Sequence, residues 1–171
     1  MERRDRKHVE FSQVTLRYLD ESNWLACVTL RVKKEQRDLI CSNDRSLAEA
    51  AALPNSEALV ICLDERPVGL LVLLHDGLSV EIHRFMVDGR FQELGVGTIA
   101  LTRLLSRFSA EHPNRKVGIK FLKWNQAAER LYHRLGFEDT GRYDGEEKIL
   151  ELNWNTFCEM KMRCSCVKSS R

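Results

Sequence analysis

Glu81-Ile-His-Arg-Phe-Met-Val-Asp-Gly-Arg-Phe-Gln-Glu-Leu-Gly-Val-Gly-Thr-Ile-Ala100 is the stretch on which the fold turns. Its first part reads as a buried strand over Leu78 to Val87. Leu78, Val80, Ile82 and Met86 alternate onto one face, and Glu81, His83, Phe85 and Val87 onto the other. A polar turn and a loop, Gln92-Glu93-Leu94-Gly95-Val96-Gly97, lead into a helix that carries Leu101, Leu104, Leu105 and Phe108 at helical spacing. A loop of this kind aims several backbone N–H groups at one spot, at the positive end of a helix dipole, which suits a phosphate or pyrophosphate. Its glycines let the backbone approach such a ligand without an intervening Cβ.

Upstream of that stretch, Gln13 to Tyr18 reads as a strand, with Val14, Leu16 and Tyr18 on one face. Asp20 or Ser22 caps a helix bearing Trp24, Leu25, Val28, Leu30 and Val32. The charged segment Lys33 to Asp44 reads as a helix end and a loop. Ser46-Leu-Ala-Glu49 then has the form of a capping box heading a short helix that stops before Pro54. Ala58 to Leu63 and Val68 to Leu74 form a hairpin whose turn includes Pro67, and Asp76-Gly77 turns the chain into the central strand. Downstream, Pro113-Asn114 breaks the long helix, and Val117 to Trp124 is a further strand. A helix from about Gln126 to Leu135 follows, with Gly136 as its C′ residue. Phe137 to Tyr143 and Lys148 to Trp154 form a last hairpin through Asp144-Gly145, and residues 155–171 lack periodicity. The organisation is a basic tail at 1–12, one domain over 13–154 and a C-terminal tail over 155–171.

Composition limits the functions open to such a chain. With 171 residues and 43% hydrophobic content, it suits a single domain with a substantial core. No apolar run approaches the ~20 residues of a membrane span, and the charged N-terminus does not read as a secretory signal. Cys27 and Cys62 sit in apolar settings as small core residues, whereas Cys164-Ser-Cys166 lacks a second ligand pair for zinc. Together these features point to a reduced, cytoplasmic protein without a metal. Lys and Arg number 27 against 25 Asp and Glu. Setting aside residues 1–8 and 161–171 leaves 19 basic and 23 acidic residues, a body of about −4. That balance argues against a nucleic-acid groove and is compatible with a cationic ligand.

A second constellation follows in Asn125-Gln-Ala-Ala128-Glu-Arg-Leu-Tyr132-His-Arg-Leu-Gly-Phe137. Ala128, Leu131, Tyr132 and Leu135 fall on one helical stripe, with Asn125 at the helix mouth. Taken alone, Asn125 is a helix cap and Tyr132 a core aromatic with a wet tip. However, Gln-x-x-Gly-x-Gly after a strand ending Phe-Met-Val, followed by Asn-x-x-Ala-x-x-x-Tyr-x-x-x-Gly-Phe, resembles the GNAT (GCN5-related) N-acetyltransferase superfamily from Val14 to Trp154. Leu30-Arg-Val-x-x-x-Gln36, Ser46-Leu-Ala-Glu-Ala50 and Ile82-x-Arg84-Phe-Met-Val-Asp88 are similar to bacterial diamine and spermidine/spermine N-acetyltransferases.

The resemblance implies an α/β fold with a mixed, twisted, mostly antiparallel sheet flanked by helices, whose central parallel strands splay to admit acetyl-CoA. The backbone of Phe85, Met86 and Val87 would then pair with the pantetheine amides. Gln92, Glu93, Leu94, Gly95, Val96, Gly97 and Thr98 would hold the pyrophosphate, and Asn125, Ala128 and Tyr132 would line the opposite wall. Glu93 departs from the usual pattern and is unhelpful beside a pyrophosphate, which leaves binding to backbone N–H groups aided by Arg90. The implied reaction is acetyl transfer to a primary amine, a small diamine or polyamine such as spermidine, with room for a homodimer and no role for nucleic acid or membrane. Glu35, Asp38, Asp44, Glu49 and Glu81 would form the carboxylate cleft for that acceptor. Such an amine needs a proton acceptor, because only its neutral form attacks a thioester. By that resemblance Glu81, whose spacing from Gly95 matches the base carboxylate of the histone-acetylating branch of the superfamily, would be the base, although it reads equally as an ion-paired glutamate, and His83 is the alternative. A strand-end N–H at Met86 or Val87 would serve the oxyanion, and Tyr132 the departing thiolate. A protein Lys or N-terminal acetyltransferase and a non-catalytic acyl-CoA-binding module are the other functional classes open to the chain.

Overall fold

A computed structural model describes residues 9–113 and 115–168, the last six as backbone only. Seven strands form one sheet: β1 (Val14–Tyr18), β2 (Ser56–Leu63), β3 (Arg66–Asp76), β4 (Ser79–Val87), β5 (Lys116–Leu122), β6 (Phe137–Asp144) and β7 (Glu147–Leu152). Their spatial order is β1-β2-β3-β4-β5-β7-β6, and among the described residues only the β4–β5 pair is parallel. Five helices join them: α1 (Trp24–Thr29), α2 (Asn43–Ala52), α3 (Val96–Glu111), α4 (Gln126–Arg134) and α5 (Trp154–Lys168). The main core joins Leu101, Leu104, Leu105 and Phe108 of α3 to Leu71, Leu73, Val80, Ile82 and Val87 of the sheet. A smaller core on the other side gathers Leu30, Ala50, Leu70, Val72 and Met86, with Leu47 of α2 packed against it. The mixed, mostly antiparallel sheet is the architecture expected from the sequence.

The central strand departs from simple alternation at one residue. Val72 pairs with Arg84 but Leu73 pairs with Ile82, so β4 carries one extra residue, His83, opposite a continuous β3. Such a bulge shifts the phase of the side chains that follow it. Ile82 and Val87 therefore share the main core, while Met86, grouped with Ile82 by the sequence pattern, faces the smaller core instead. Leu78 leaves the predicted strand for a two-residue turn with Gly77 and is 82% exposed. The same tight-turn logic corrects Pro67. The β2–β3 turn is Asp64-Glu65, both at positive φ, and Pro67 lies in β3 opposite Cys62.

Further corrections concern caps and helix ends. The predicted capping box at Ser46 is instead an internal turn of α2, which starts three residues earlier after Ser42. The Ser46 hydroxyl donates back to the Ser42 carbonyl at 2.9 Å. The cap of α1 is Asn23; Asp20 spends its carboxylate on the N–H and hydroxyl of Ser22, and Leu30 lies past the helix end in extended geometry. Residues 155–168, which read as a tail, continue α5. Asn153 accepts the N–H groups of Asn155 and Thr156 at its start, and Phe157 is buried in the main core. The basic N-terminal residues 1–8 lie outside the described residues, whereas Val9 packs against the main core and donates its N–H to the Leu94 carbonyl at 3.1 Å. Cys27 and Cys62 are buried core residues, as their sequence settings suggest. The side chains of Cys164 and Cys166 lie outside the described residues.

Candidate active site

The parallel β4–β5 ladder runs from Ser79–Lys116 to Ile82–Ile119 and stops there. Beyond it the two strands part around a cavity of about 960 Å³. One wall is β4 from Ile82 to Val87, the other is β5 from Ile119 to Leu122, and α4 closes the far side with Asn125, Ala128, Leu131 and Tyr132. The glycine loop forms one end. Gly95, at φ +90, is the residue before α3, so the first N–H groups of that helix have no intrahelical partner. A Cβ on Gly97 would stand 3.2 Å from Phe85 Cζ, so glycine lets the helix start close against β4. The other end is built from the segment between α1 and α2, through Val32, Gln36, Asp38, Ile40 and Cys41.

Most residues assigned from the sequence line this one space. Phe85, Met86, Val87, Gln92, Glu93, Gly95, Gly97, Thr98, Asn125, Ala128 and Tyr132 are all in its walls. Three are not. Val96 is buried in the main core, Leu94 packs against that core, and Glu81 lies beside the cavity behind His83. Asn125 also caps α4 by accepting the Ala128 N–H at 3.2 Å while standing in the cavity wall.

The electrostatics differ from the sequence picture in three places. Glu93 does not confront a ligand alone, because its carboxylate pairs with Lys33 across the loop. Arg90 is turned onto Asp88, with Nε–Oδ1 at 2.8 Å, and is not in the cavity wall. Among the five carboxylates expected around the acceptor, only Asp38 lines the cavity, beside Arg45, Arg84, Lys120 and Arg134. Glu49 is held instead by Arg45 at 3.0 Å and Arg84 at 2.7 Å.

Glu81 sits at the centre of a charged cluster. Its Oε1 is 3.1 Å from His83 Nδ1 and its Oε2 is 3.4 Å from Lys120 Nζ, which also reaches Asp144 at 3.1 Å. Burial pushes the Glu81 carboxyl up, but the His83 hydrogen bond and the Lys120 charge outweigh it and hold the group below the usual glutamate range. For Lys120, burial favours the neutral form, and the bonds to Asp144 and Glu81 win, raising its pKa. Burial raises the Tyr132 phenol well above its ordinary value, so it stays protonated, with its ring edge-to-face against Phe121 and Phe137.

Several contributors were not found from the sequence. Lys120 belongs to β5, and its approach to Glu81 depends on a cross-strand register that local pattern does not report. Gln92 was found, but not its link: its amide donates to the Val87 carbonyl and to Gln36 Oε1, both at 2.8 Å, tying the glycine loop to the segment across the cavity. Asp88 carried a local signal, an Asp-Gly-Arg turn directly after the strand. It is almost fully buried and accepts the N–H groups of Arg90 at 3.0 Å and Arg31 at 3.1 Å.

Comparison with known proteins agrees with this geometry. Among solved structures, the chain resembles RimL, a ribosomal L7/L12 alpha-N-protein acetyltransferase, at 19% identity and TM-score 0.66, over 82% of this chain and 90% of that one. It resembles a PaiA N-acetyltransferase from Thermoplasma acidophilum, solved with coenzyme A, at 13% identity and TM-score 0.66, over 82% and 98%. It also resembles a spermidine N-acetyltransferase from Vibrio cholerae, solved with CoA and spermine, at 18% identity and TM-score 0.63, over 82% and 94%. At these identities the likeness is one of fold. Residues 17–137 match the acetyltransferase (GNAT) family, and the chain belongs to that family, as an acetyl-CoA-dependent N-acetyltransferase.

Proposed function

We propose that this protein acetylates a primary amine by direct attack of the neutral amine on the thioester of acetyl-CoA, within the gap between β4 and β5. The observation that supports this most is the end of the parallel ladder at Ile82–Ile119, which leaves the facing edges of both strands without ladder partners along the cavity. Unpaired strand edges suit the amides of a pantetheine arm. The N–H groups at the start of α3 suit its pyrophosphate, with Glu93 already neutralised by Lys33. A strand-end N–H at Met86 or Val87 stabilises the oxyanion, and the protonated Tyr132 hydroxyl serves the departing sulfur. The Glu81–His83 pair supplies the base. On this reading the domain begun at residue 13 runs past 154 to include α5, whose Phe157 lies in its core, as a single catalytic domain, and the protein works in the cytoplasm.

For the acceptor, the first reading is a small diamine or polyamine such as spermidine, supported by the likeness of the segments at 30–36, 46–50 and 82–88 to polyamine acetyltransferases. One observation favours a second reading, a protein Lys or N-terminal amine: Arg45 and Arg84 of the cavity wall hold Glu49 outside it, and Asp38 alone of the expected acidic cleft lines the cavity. An acceptor panel with released CoA as the readout tests both. Spermidine, a monoamine of similar length, a lysine peptide and a peptide with a free N-terminus are compared at low and high salt. A preference for spermidine that shrinks in salt supports the polyamine reading. Activity confined to peptides moves the assignment to protein acetylation. CoA binding without turnover of any acceptor identifies a non-catalytic acyl-CoA-binding module.

A further inference from the structure

We propose that the imidazole of His83, and not the carboxylate of Glu81, takes the proton from the acceptor amine, with Glu81 a positioning residue that acts through it. This inference rests on the acetyl-transfer reading above and names the base within it. The first support is placement. His83 is the extra residue of the β4 bulge, and bulges commonly re-aim a side chain next to an active site. His83 lines the cavity and Glu81 does not.

The second support is the state of each group. Both oxygens of Glu81 are engaged, one by His83 Nδ1 at 3.1 Å and one by Lys120 at 3.4 Å. A carboxylate so held is a weak base for an ammonium-forming amine. With Nδ1–H donating to Glu81, the lone pair falls on Nε2, as in other carboxylate-oriented imidazoles. Nε2 stands 3.8 Å from Glu49 Oε2, too far for a hydrogen bond. Arg45 and Arg84 hold Glu49 ionised at that distance, and Arg84 also donates to the His83 carbonyl at 2.9 Å. His83 thus lies between two carboxylates from different elements, Glu81 on its own strand and Glu49 on α2, with Arg84 and Lys120 as the nearby cations.

The step balances simply. The amine nitrogen bonds to the thioester carbonyl carbon, the C–S bond breaks, and the amine proton passes to His83 Nε2. The CoA thiolate takes a proton from the Tyr132 hydroxyl, and exchange with solvent restores both side chains.

The test follows kcat/KM against pH for the best acceptor of the panel. An aliphatic amine loses its own proton only near pH ~10. Below that pH, log kcat/KM should therefore rise with slope 2 until His83 deprotonates, and with slope 1 above. His83→Gln should lower kcat/KM about 100-fold at pH 7, keep acetyl-CoA affinity within about threefold, and rise with slope 1 throughout. Glu81→Gln should lower it about tenfold and keep the break. In the wild-type protein, the His83 ring proton shift, followed by NMR, should titrate at the pH of the kinetic break, a check that does not depend on any variant folding. A break that survives His83→Gln and disappears in Glu81→Gln overturns the proposal, as does a His83 titration that misses the break. A wild-type protein that turns over no amine overturns the acetyl-transfer reading and this assignment together. Wild-type turnover with an unaltered His83→Gln profile overturns this assignment alone.

Discussion

Tyr132 packs as a core aromatic and, on the proposed reading, also serves the departing sulfur. Its ring is clamped between Phe121 at 5.3 Å and Phe137 at 5.9 Å, while burial keeps its hydroxyl protonated in the cavity wall. Tyr132→Phe should preserve the clamp and acetyl-CoA affinity but lower kcat by about 100-fold in steady-state assays. A loss below about threefold would make the tyrosine a packing residue only. At Gly97, Asp would crowd Phe85, 3.2 Å from the new Cβ, and would set a carboxylate beside the pyrophosphate site. Gly97→Asp should weaken acetyl-CoA binding at least tenfold by calorimetry, about 1.4 kcal/mol. Asp88 makes a prediction in pH. Burial pushes its carboxyl up, yet the Arg90 side chain and the N–H groups of Arg90 and Arg31 outweigh that and hold it below the ordinary aspartate value of 3.8. A group lowered in the folded state stabilises fully above its unfolded pKa and loses that contribution as pH falls through the folded one. Asp88→Asn should therefore cost about 1–2 kcal/mol in denaturant unfolding at pH 7. The gap to wild type should close as pH drops below 3.8.

Helix α5 and strand β4 mark where local pattern stops informing. The α3 and α4 stripes were legible because each presents buried residues at helical spacing over several turns: Leu101, Leu104, Leu105 and Phe108 in one, Leu131, Tyr132 and Leu135 in the other. In α5 the buried stripe is thin, Trp154, Phe157 and Met160, and its cap, Asn153, sits inside what reads as a strand end. The signal was present as an i, i+3, i+6 run behind an asparagine, too short to separate from chance. Phe157 still matters. Its backbone passes so close to Gly136 that a Cβ there would meet Phe157 N at 2.9 Å, and its ring meets Trp154 at 5.9 Å. Phe157→Ala should cost about 3–5 kcal/mol in chemical unfolding, far more than a frayed tail would allow. The capping box at Ser46 failed for a different reason. Ser-x-x-Glu occurs inside helices too, and here Glu49 serves an ion pair with Arg84 on another element instead of its own helix end.

The two halves of the cavity were legible to different degrees because they are assembled differently. The half proposed for the cofactor comes from two contiguous motifs, residues 85–98 and 125–132, whose spacing survives in the sequence. The half proposed for the acceptor joins residues 32–45 to β4 through contacts of long sequence separation: Gln36 with Gln92, Arg31 with Asp88, Lys33 with Glu93. Nothing local reports those pairings, and of the carboxylate cleft expected for a polyamine only Asp38 lines the cavity, while Glu49 and Glu81 are engaged in ion pairs. The sheet that carries both halves has a weak join by construction, four ladder pairs between β4 and β5, with each strand secured to its other neighbour along its length. The additional residue in β4 bears directly on that join. A bulge bends its strand and increases the local twist, and the β4–β5 ladder stops at Ile82, the residue just before it. Excising His83 would leave the pairing of Arg84 with Val72 and of Ile82 with Leu73 in consecutive register. The straightened strand could then zip to β5 past Ile119. Such a shortened protein should melt at a higher temperature than the wild type and take up no acetyl-CoA in calorimetry, a sheet made sound by sealing its own doorway.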